Sequence, residues 1–293
     1  MKTIAVLLTV FNRKEKTLEC LKRIYNQEKV DNFKIDIYLT NDGCTDGTPE
    51  AVKELYPNVK IINGNGNLYW NRGMYTAWEE AAKQDYDFYL WLNDDTYTYP
   101  YMLKSLIESS SLHSDSCIIV GATQDTNHQQ ATYGGRLSNG KIPFSQNSET
   151  EVHYFNGNIV LIPRKVFQVL GNLDYVFTHS KGDFDYGMRA KKVGIKMFQT
   201  PSFLGECDLH ESIDKWCDPN IPFKQRWKLL HRPNGMPPYE TFHLEKRHFG
   251  LLTALFHYCT IHIRCIIPSL WIKLNKTQQV SSKKKLNKQY EKY

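Results

Sequence analysis

The sequence predicts an α/β chain, a mainly parallel sheet flanked by helices, with a partly helical C-terminal extension. Three observations predict it. Strand-like apolar runs alternate with helix-like stripes over roughly the first 92 residues, and a β-α-β-α-β order gives parallel pairing with right-handed crossovers. Two of the runs stop abruptly in acids, at Asn41-Asp42-Gly43 and Asn93-Asp94-Asp95. Open α/β sheets bind ligands at such carboxyl ends of strands. Beyond about residue 220 the chain turns basic, aromatic and punctuated by proline.

The elements follow in order. Residues 3–10 are a continuous apolar strand, and in 13–27 Leu18, Leu21, Ile24 and Tyr25 fall on one helical stripe. Residues 34–40 make the second strand. Thr48 is then a candidate N-cap, with Pro49 at the first helical position and Glu50 in the first turn. A short strand at 59–62 runs into Asn63-Gly64-Asn65-Gly66-Asn67, a strong turn signal. Met74, Ala77, Trp78, Ala81 and Ala82 then repeat at the spacing of a buried helix face, before a strand at 87–92. Further on, 117–121 and 156–162 read as core strands, 122–150 as loop, and 163–170 and 183–193 as helices, the last stopped by Gly194.

The C-terminal stretch carries Pro219, Pro222, Pro233, Pro237 and Pro238, then a largely apolar run over 251–272. That run contains His257, His262, Arg264 and Pro268. An arginine near the centre of a membrane span costs about 2.5 kcal/mol or more, which disfavours a continuous span. One or two helices lying in a membrane interface, or packed as a helical subdomain, remain. Lys246, Arg247, Lys273 and Lys276 flank the run, and Lys283-Lys284-Lys285 and Lys288 follow, which suits an anionic lipid surface.

The net charge of +6 comes largely from this end, and an anionic partner is expected. Nucleic acid is not that partner, because no aromatic-interleaved recognition module accompanies the lysines. The seven cysteines are scattered, without a CxxC pair or zinc spacing, as in a reduced intracellular protein. The first residues read as neither a signal peptide nor a membrane span. The expected location is cytoplasmic, with peripheral contact at the inner membrane face through 241–293.

Six segments together resemble a known family. They are Val10-Phe11-Asn12-Arg13, Asn41-Asp42-Gly43-Cys44-Thr45-Asp46-Gly47-Thr48, Gly66-Asn67-Leu68-Tyr69-Trp70-Asn71-Arg72-Gly73, Leu92-Asn93-Asp94-Asp95, Phe155-Asn156-Gly157-Asn158, and the run 182–190 beginning Gly182-Asp183-Phe184-Asp185. In this order they resemble family 2 glycosyltransferases with the Rossmann-like GT-A fold, from residue 3 to about 210. The implied division is a catalytic domain over 1–215 and an extension over 216–293. The type most resembled builds bacterial surface polysaccharides and includes rhamnosyltransferase-like members.

The resemblance implies a sugar moved from a UDP- or dTDP-sugar to a hydroxyl of a growing glycan, with inversion, and an acceptor that is plausibly lipid-linked. Thr9, Asn12 and Asp42 would line the nucleoside site, although Asp42 also reads as an Asx-turn residue and Asp46 as structural. Asn67 and Arg72 would hold diphosphate. Trp70 is either a platform for sugar or ordinary core, and Asn156 and Gly157 would lie beside donor or acceptor sugar. Asp94 would touch ribose or donor sugar. Asp95 would hold Mg²⁺ or Mn²⁺, with His210 as a second ligand. Asn93 stands where the family carries the first acid of its metal motif, which implies weaker metal binding. Asp183 would be the general base, with Gly182 in place of a glutamate. Asp185 is the alternative base, or it orients Arg189. Two other readings stay open: a sugar-phosphate nucleotidyltransferase and a silent nucleotide- or glycan-binding protein.

Overall fold

The computed structural model describes residues 1–143, 148–209 and 215–270. It divides into two compact units, Met1–His210 and Glu211–Tyr293. In the first, a sheet is laid down by β1 (Lys2–Val10), β2 (Phe33–Asn41), β3 (Lys60–Asn63), β4 (Phe88–Leu92) and β5 (Tyr97–Thr98). It continues with β6 (Ile118–Gln124), β8 (Thr150–Glu151), β10 (Ile159–Pro163) and β11 (Met197–Glu206), while β7 (Gly135–Arg136) and β9 (Tyr154–Phe155) form a separate ribbon. The order is β3-β2-β1-β4-β10-β6-β11-β5, with β8 beside β11. Pairing is parallel from β3 to β4 and between β6 and β11, so the sheet is mainly parallel.

Burial explains why these runs are strands. Ile4 to Leu8 are fully buried on both faces of β1, the pattern of a parallel sheet sandwiched by helices. Ile4, Val6 and Leu8 pack towards α1 (Lys14–Tyr25) and α4 (Met102–Leu112). Ala5 and Leu7 face α3 (Tyr69–Ala82), α5 (Arg164–Leu170) and α6 (Gly182–Lys192). The fit on this second face is close. A Cβ on Gly73 of α3 would lie 2.1 Å from the hydroxyl of Thr9. Only glycine lets the helix approach so near.

The structure departs from the sequence reading in three places. First, β10 runs antiparallel to both neighbours, because strand direction leaves no mark in an apolar run. Second, β11 and α4 were not foreseen. β11 carries Pro201 and Gly205 and shifts register between Gln199 and Gly205, so it lacks a regular alternation. Third, α2 (Thr48–Leu55) is preceded by Gly47 with φ of 80°, and Thr48 caps nothing. Asp46 fills that role, its Oδ1 accepting the Thr48 N–H at 3.1 Å and the Thr48 hydroxyl.

The second unit contains α7 (Phe223–Leu230), α8 (Pro238–Phe249) and α9 (Leu251–Ile266). Trp216, Leu230, Ile261 and Cys265 form its small core. Buried Arg226 donates to the carbonyls of Cys265 at 2.8 Å and Ile266 at 3.2 Å, satisfying groups that a helix end leaves open. The Arg264 guanidinium lies 5.2 Å from the centre of the Trp216 ring. No described helix is long and apolar enough to cross a membrane. The opposite face of α9 is apolar and open, with Leu252 82% and Phe256 65% exposed. The lysines from 273 onward lie outside the described residues.

Leu161 is fully buried between β4 and β6. Leu161→Ala is expected to destabilise the first unit by about 2–5 kcal/mol, read from equilibrium urea unfolding.

Candidate active site

The buried run of β4 ends in a tight turn. The Asn93 N–H donates to the Asn158 carbonyl at 3.1 Å, and the Thr96 N–H returns to the Asn93 carbonyl at 3.1 Å. Asp94 and Asp95 are thereby held at the carboxyl end of a central strand, and both are nearly buried. They converge on one cation. Nη1 of Arg13, just before α1, donates to Asp94 Oδ1 at 3.1 Å and to Asp95 Oδ2 at 2.8 Å. The Thr17 hydroxyl donates to Asp94 Oδ2 at 3.2 Å. Burial pushes the Asp94 carboxyl up to about 6; Arg13 and Thr17 oppose the rise and Asp95 adds to it.

A second acid stands at the start of α6. Asp183 Oδ2 accepts the Gly157 N–H at 3.0 Å, and its Oδ1 accepts the Phe184 N–H at 2.9 Å. Burial pushes Asp183 up to about 6, while these backbone donors and the nearby charge of Arg136 pull the other way. Trp70 links the surroundings of Asp183 to the turn that carries Asp94 and Asp95. A Cβ on Gly157 would lie 2.5 Å from the indole ring of Trp70 and 3.4 Å from the Cβ of Asp183. The same indole N–H donates to Asn93 Oδ1 at 2.6 Å. The contacts Asp183–Gly157–Trp70–Asn93 thus tie the start of α6 to the end of β4.

Both departures from the family pattern acquire physical reasons here. The Asn93 carboxamide oxygen is engaged by Trp70 and lies beside the acids as an anchor. At Gly182, a Cβ would fall 1.6 Å from Asn71 Oδ1. Asn71 cannot move away, because its Nδ2 donates to the carbonyls of Asp174 at 2.9 Å and Phe177 at 2.7 Å. No side chain fits at 182 while Asn71 is in place.

The remaining expected residues divide into loop organisers and surface groups. Asp42 accepts the N–H groups of Gly66 at 2.8 Å, Leu68 at 2.9 Å and Tyr69 at 2.9 Å, fixing the Gly-rich loop that enters α3. The turn beside it is closed by Asn41, whose Oδ1 accepts the Cys44 N–H at 2.9 Å. Asn12, at φ of 51°, accepts the Thr45 N–H at 2.7 Å. Asn67 is exposed. Arg72 donates through Nε to the Tyr175 carbonyl at 3.0 Å and stacks over the Tyr175 ring at 4.8 Å. Asn156 accepts two donors of Arg136, at 3.0 and 2.8 Å. Asp185 is fully buried against Arg189 at 2.8 Å. Arg189 in turn donates to the carbonyls of Leu170 and Asn172. Of the two candidate bases, Asp185 is the one that is fully buried in an ion pair with an arginine. His210 lies outside the described residues.

Sequence reasoning missed Arg13 and Arg136. Arg13 stood inside a quoted motif, but nothing in its spacing announces a partner 81 residues away. Arg136 lies in a polar stretch with no pattern.

The paired carboxylates have the donor chemistry of a divalent-cation site. Two carboxylates already aim at one positively charged nitrogen, and Mg²⁺ or Mn²⁺ is often held by one or two carboxylates plus phosphate oxygens. Among the described residues no group of three or more His, Cys, Asp or Glu could hold a metal alone, so phosphate oxygens would complete the shell.

A mainly parallel sheet between helices, with acids at its strand ends, gives the first unit a Rossmann-like α/β architecture whose ligand edge is the carboxyl ends of the strands. Residues 5–184 match the pattern of Glycosyl transferase family 2. The chain belongs to that family. A search of curated protein sequences gives no match. Among solved structures the chain is similar to S. aureus TarS 1-349 in complex with UDP, at 15% identity and a TM-score of 0.55. That match covers 71% of this chain and 60% of the TarS fragment, so the chain spans less than two thirds of it. It is also similar to the mannosyltransferase PcManGT from Pyrobaculum calidifontis in complex with GDP-Man and Mn²⁺, at 14% identity and a TM-score of 0.54, covering 94% and 79%. A third is GalNAc-T7 with UDP, GalNAc and Mn²⁺, at 12% identity and 0.52, covering 69% and 42%.

Gly182→Ala is expected to cost about 1–3 kcal/mol by overpacking. In a double-mutant cycle read by thermal melting, Asn71→Ala should remove most of that cost.

Proposed function

We propose that this chain transfers one sugar from a nucleotide-diphospho-sugar to a hydroxyl of a growing bacterial surface glycan, with inversion at the anomeric carbon. The observation that carries this reading is the contact chain from Asp183 through Gly157 and Trp70 to Asn93, which ties a proton acceptor to a paired-acid anchor. Asp183 takes the proton of the acceptor hydroxyl as that oxygen attacks the anomeric carbon, and the bond to the leaving diphosphate breaks. Asp95, with Asp94 beside it, would hold Mg²⁺ or Mn²⁺. When bound, the cation supplies positive charge against the departing diphosphate. Structures similar to this one carry UDP, or GDP-Man with Mn²⁺, which supports a nucleotide-sugar donor and a divalent ion.

The other assignments are part of the same proposal. Thr9, Asn12 and Asp42 border the nucleoside, and the side chains of Asn12 and Asp42 also hold the surrounding loops. Asn67 and Arg72 serve the diphosphate, Asp94 the ribose or donor sugar, and Trp70, Asn156 and Gly157 the sugars. His210 is the second metal ligand. The donor nucleotide is a uridine or thymidine diphosphate. The acceptor is lipid-linked, and the exposed apolar face of α9, with Lys246 and Arg247 preceding it, lies against an anionic membrane surface.

Four measurements test this reading. Calorimetric titration of UDP, dTDP and GDP with and without Mn²⁺ should find one nucleotide whose binding strengthens with metal and is lost in Asp95→Ala. No binding by any of the three would overturn it. Asp183→Asn should lower kcat by about 10²–10⁴ while nucleotide affinity holds. A base must be deprotonated to work, so kcat/KM should fall as pH drops through about 6, the value to which burial raises Asp183. Finally, Leu252→Glu with Phe256→Glu should weaken flotation with anionic liposomes by about ten-fold or more. Unchanged flotation would remove the membrane contact.

A further inference from the structure

We propose that Arg13 is a resident counter-cation which a divalent metal must displace from Asp94 and Asp95, so that cation binding is coupled to arrival of the nucleoside diphosphate. The inference rests on the reading of Asp95, with Asp94 beside it, as the cation site. It concerns a residue to which that reading gave no role.

The geometry sets up the competition. One nitrogen, Nη1 of Arg13, lies 3.1 Å from Asp94 Oδ1 and 2.8 Å from Asp95 Oδ2. A divalent cation held by Asp95, with Asp94 beside it, would compete with this guanidinium for the carboxylate lone pairs. The two sides differ in freedom. The acid side chains are only 6% and 7% exposed and sit on a hydrogen-bonded turn at the end of a buried strand, whereas the Arg13 side chain is 41% exposed. The guanidinium can leave and the carboxylates cannot follow it.

Departure has a cost and a destination. Both contacts are charge-assisted hydrogen bonds, among the stronger kinds, and breaking them opposes entry of a lone metal ion. Among the described residues Nε and Nη2 of Arg13 make no hydrogen bond, so those donors of the fork are available. Guanidinium forks pair readily with phosphate oxygens. A nucleoside diphosphate arriving with the cation would take over the displaced guanidinium, offsetting the lost ion pairs. In the donor-free state Arg13 keeps two crowded, nearly buried carboxylates compensated. Metal and diphosphate then bind better together than separately, by the reciprocity of linked equilibria.

The test is Mn²⁺ binding to the full chain, followed by the loss of the free-ion electron paramagnetic resonance signal. It is run without nucleotide and with the diphosphate selected by the calorimetric titration. Wild type should bind Mn²⁺ weakly alone and markedly tighter with nucleotide. Arg13→Met should bind Mn²⁺ alone about ten-fold tighter than wild type and gain less from nucleotide. Arg13→Lys, which offers a point charge without a fork, should fall between them and carries the test if the methionine variant fails to fold. Equal or weaker Mn²⁺ binding in both variants, with binding still lost in Asp95→Asn, overturns the displacement and leaves the cation site standing. Wild-type Mn²⁺ affinity in Asp95→Asn overturns both.

Discussion

Two carboxylates at the end of a strand buried on both faces set the problem around which this domain is arranged. Asp94 and Asp95 cannot be turned to bulk water, because β4 runs beneath α3 and α5 on one face and α1 and α4 on the other. Burying charge without compensation costs several kcal/mol per ion. The chain compensates by returning α1 to the same edge, so that Arg13 and Thr17 meet the acids from the turn after β1. The parallel pairing of β1 with β4 makes this possible, since it brings the carboxyl ends of both strands to one side of the sheet. The arrangement is electrostatically tense, as the raised proton affinity of Asp94 records, and perturbed acids of this kind often mark working sites.

The opposite wall depends on close approach. Trp70, Gly157 and Asp183 come from α3, the turn before β10 and α6, and they meet only because Gly157 has no side chain. Gly182 meets Asn71 under the same restriction. The missing glutamate and the missing first acid, which in sequence look like losses of function, are packing solutions in the structure. An asparagine at 93 can anchor an indole N–H without adding a third negative charge beside Asp94 and Asp95. A glycine at 182 leaves room for a buried amide that ties α3 to the loop preceding α6.

The C-terminal unit obeys a different constraint. Its core is small, and Arg226 satisfies the carbonyls at the end of α9. A short amphipathic helix cannot hide every apolar side chain in so small a unit, and the outer face of α9 keeps Leu252, Leu255 and Phe256 in the open. Patches of this kind usually meet another surface. Arg264, which disfavours a membrane span, lies over the Trp216 ring inside the unit.

The sequence by itself determined the strand–helix alternation of the first half, the family, and the strand ends that carry acids. These signals are local, written in hydrophobic period and in where an apolar run breaks. It also placed the helix that begins at Asp183 to within one residue, because an acidic start and a glycine stop bracket it. Only tertiary structure decided that β10 runs antiparallel, that an irregular segment with Pro201 becomes β11, and that Arg13 rather than solvent faces Asp94 and Asp95. It alone gave Asp183 and Asp185 different surroundings, burying the second acid against Arg189 and leaving the first beside the Gly157 N–H. The physical reason is common to all four. Direction, pairing and burial are set by segments distant in the chain, and a local pattern carries no record of what will pack against it.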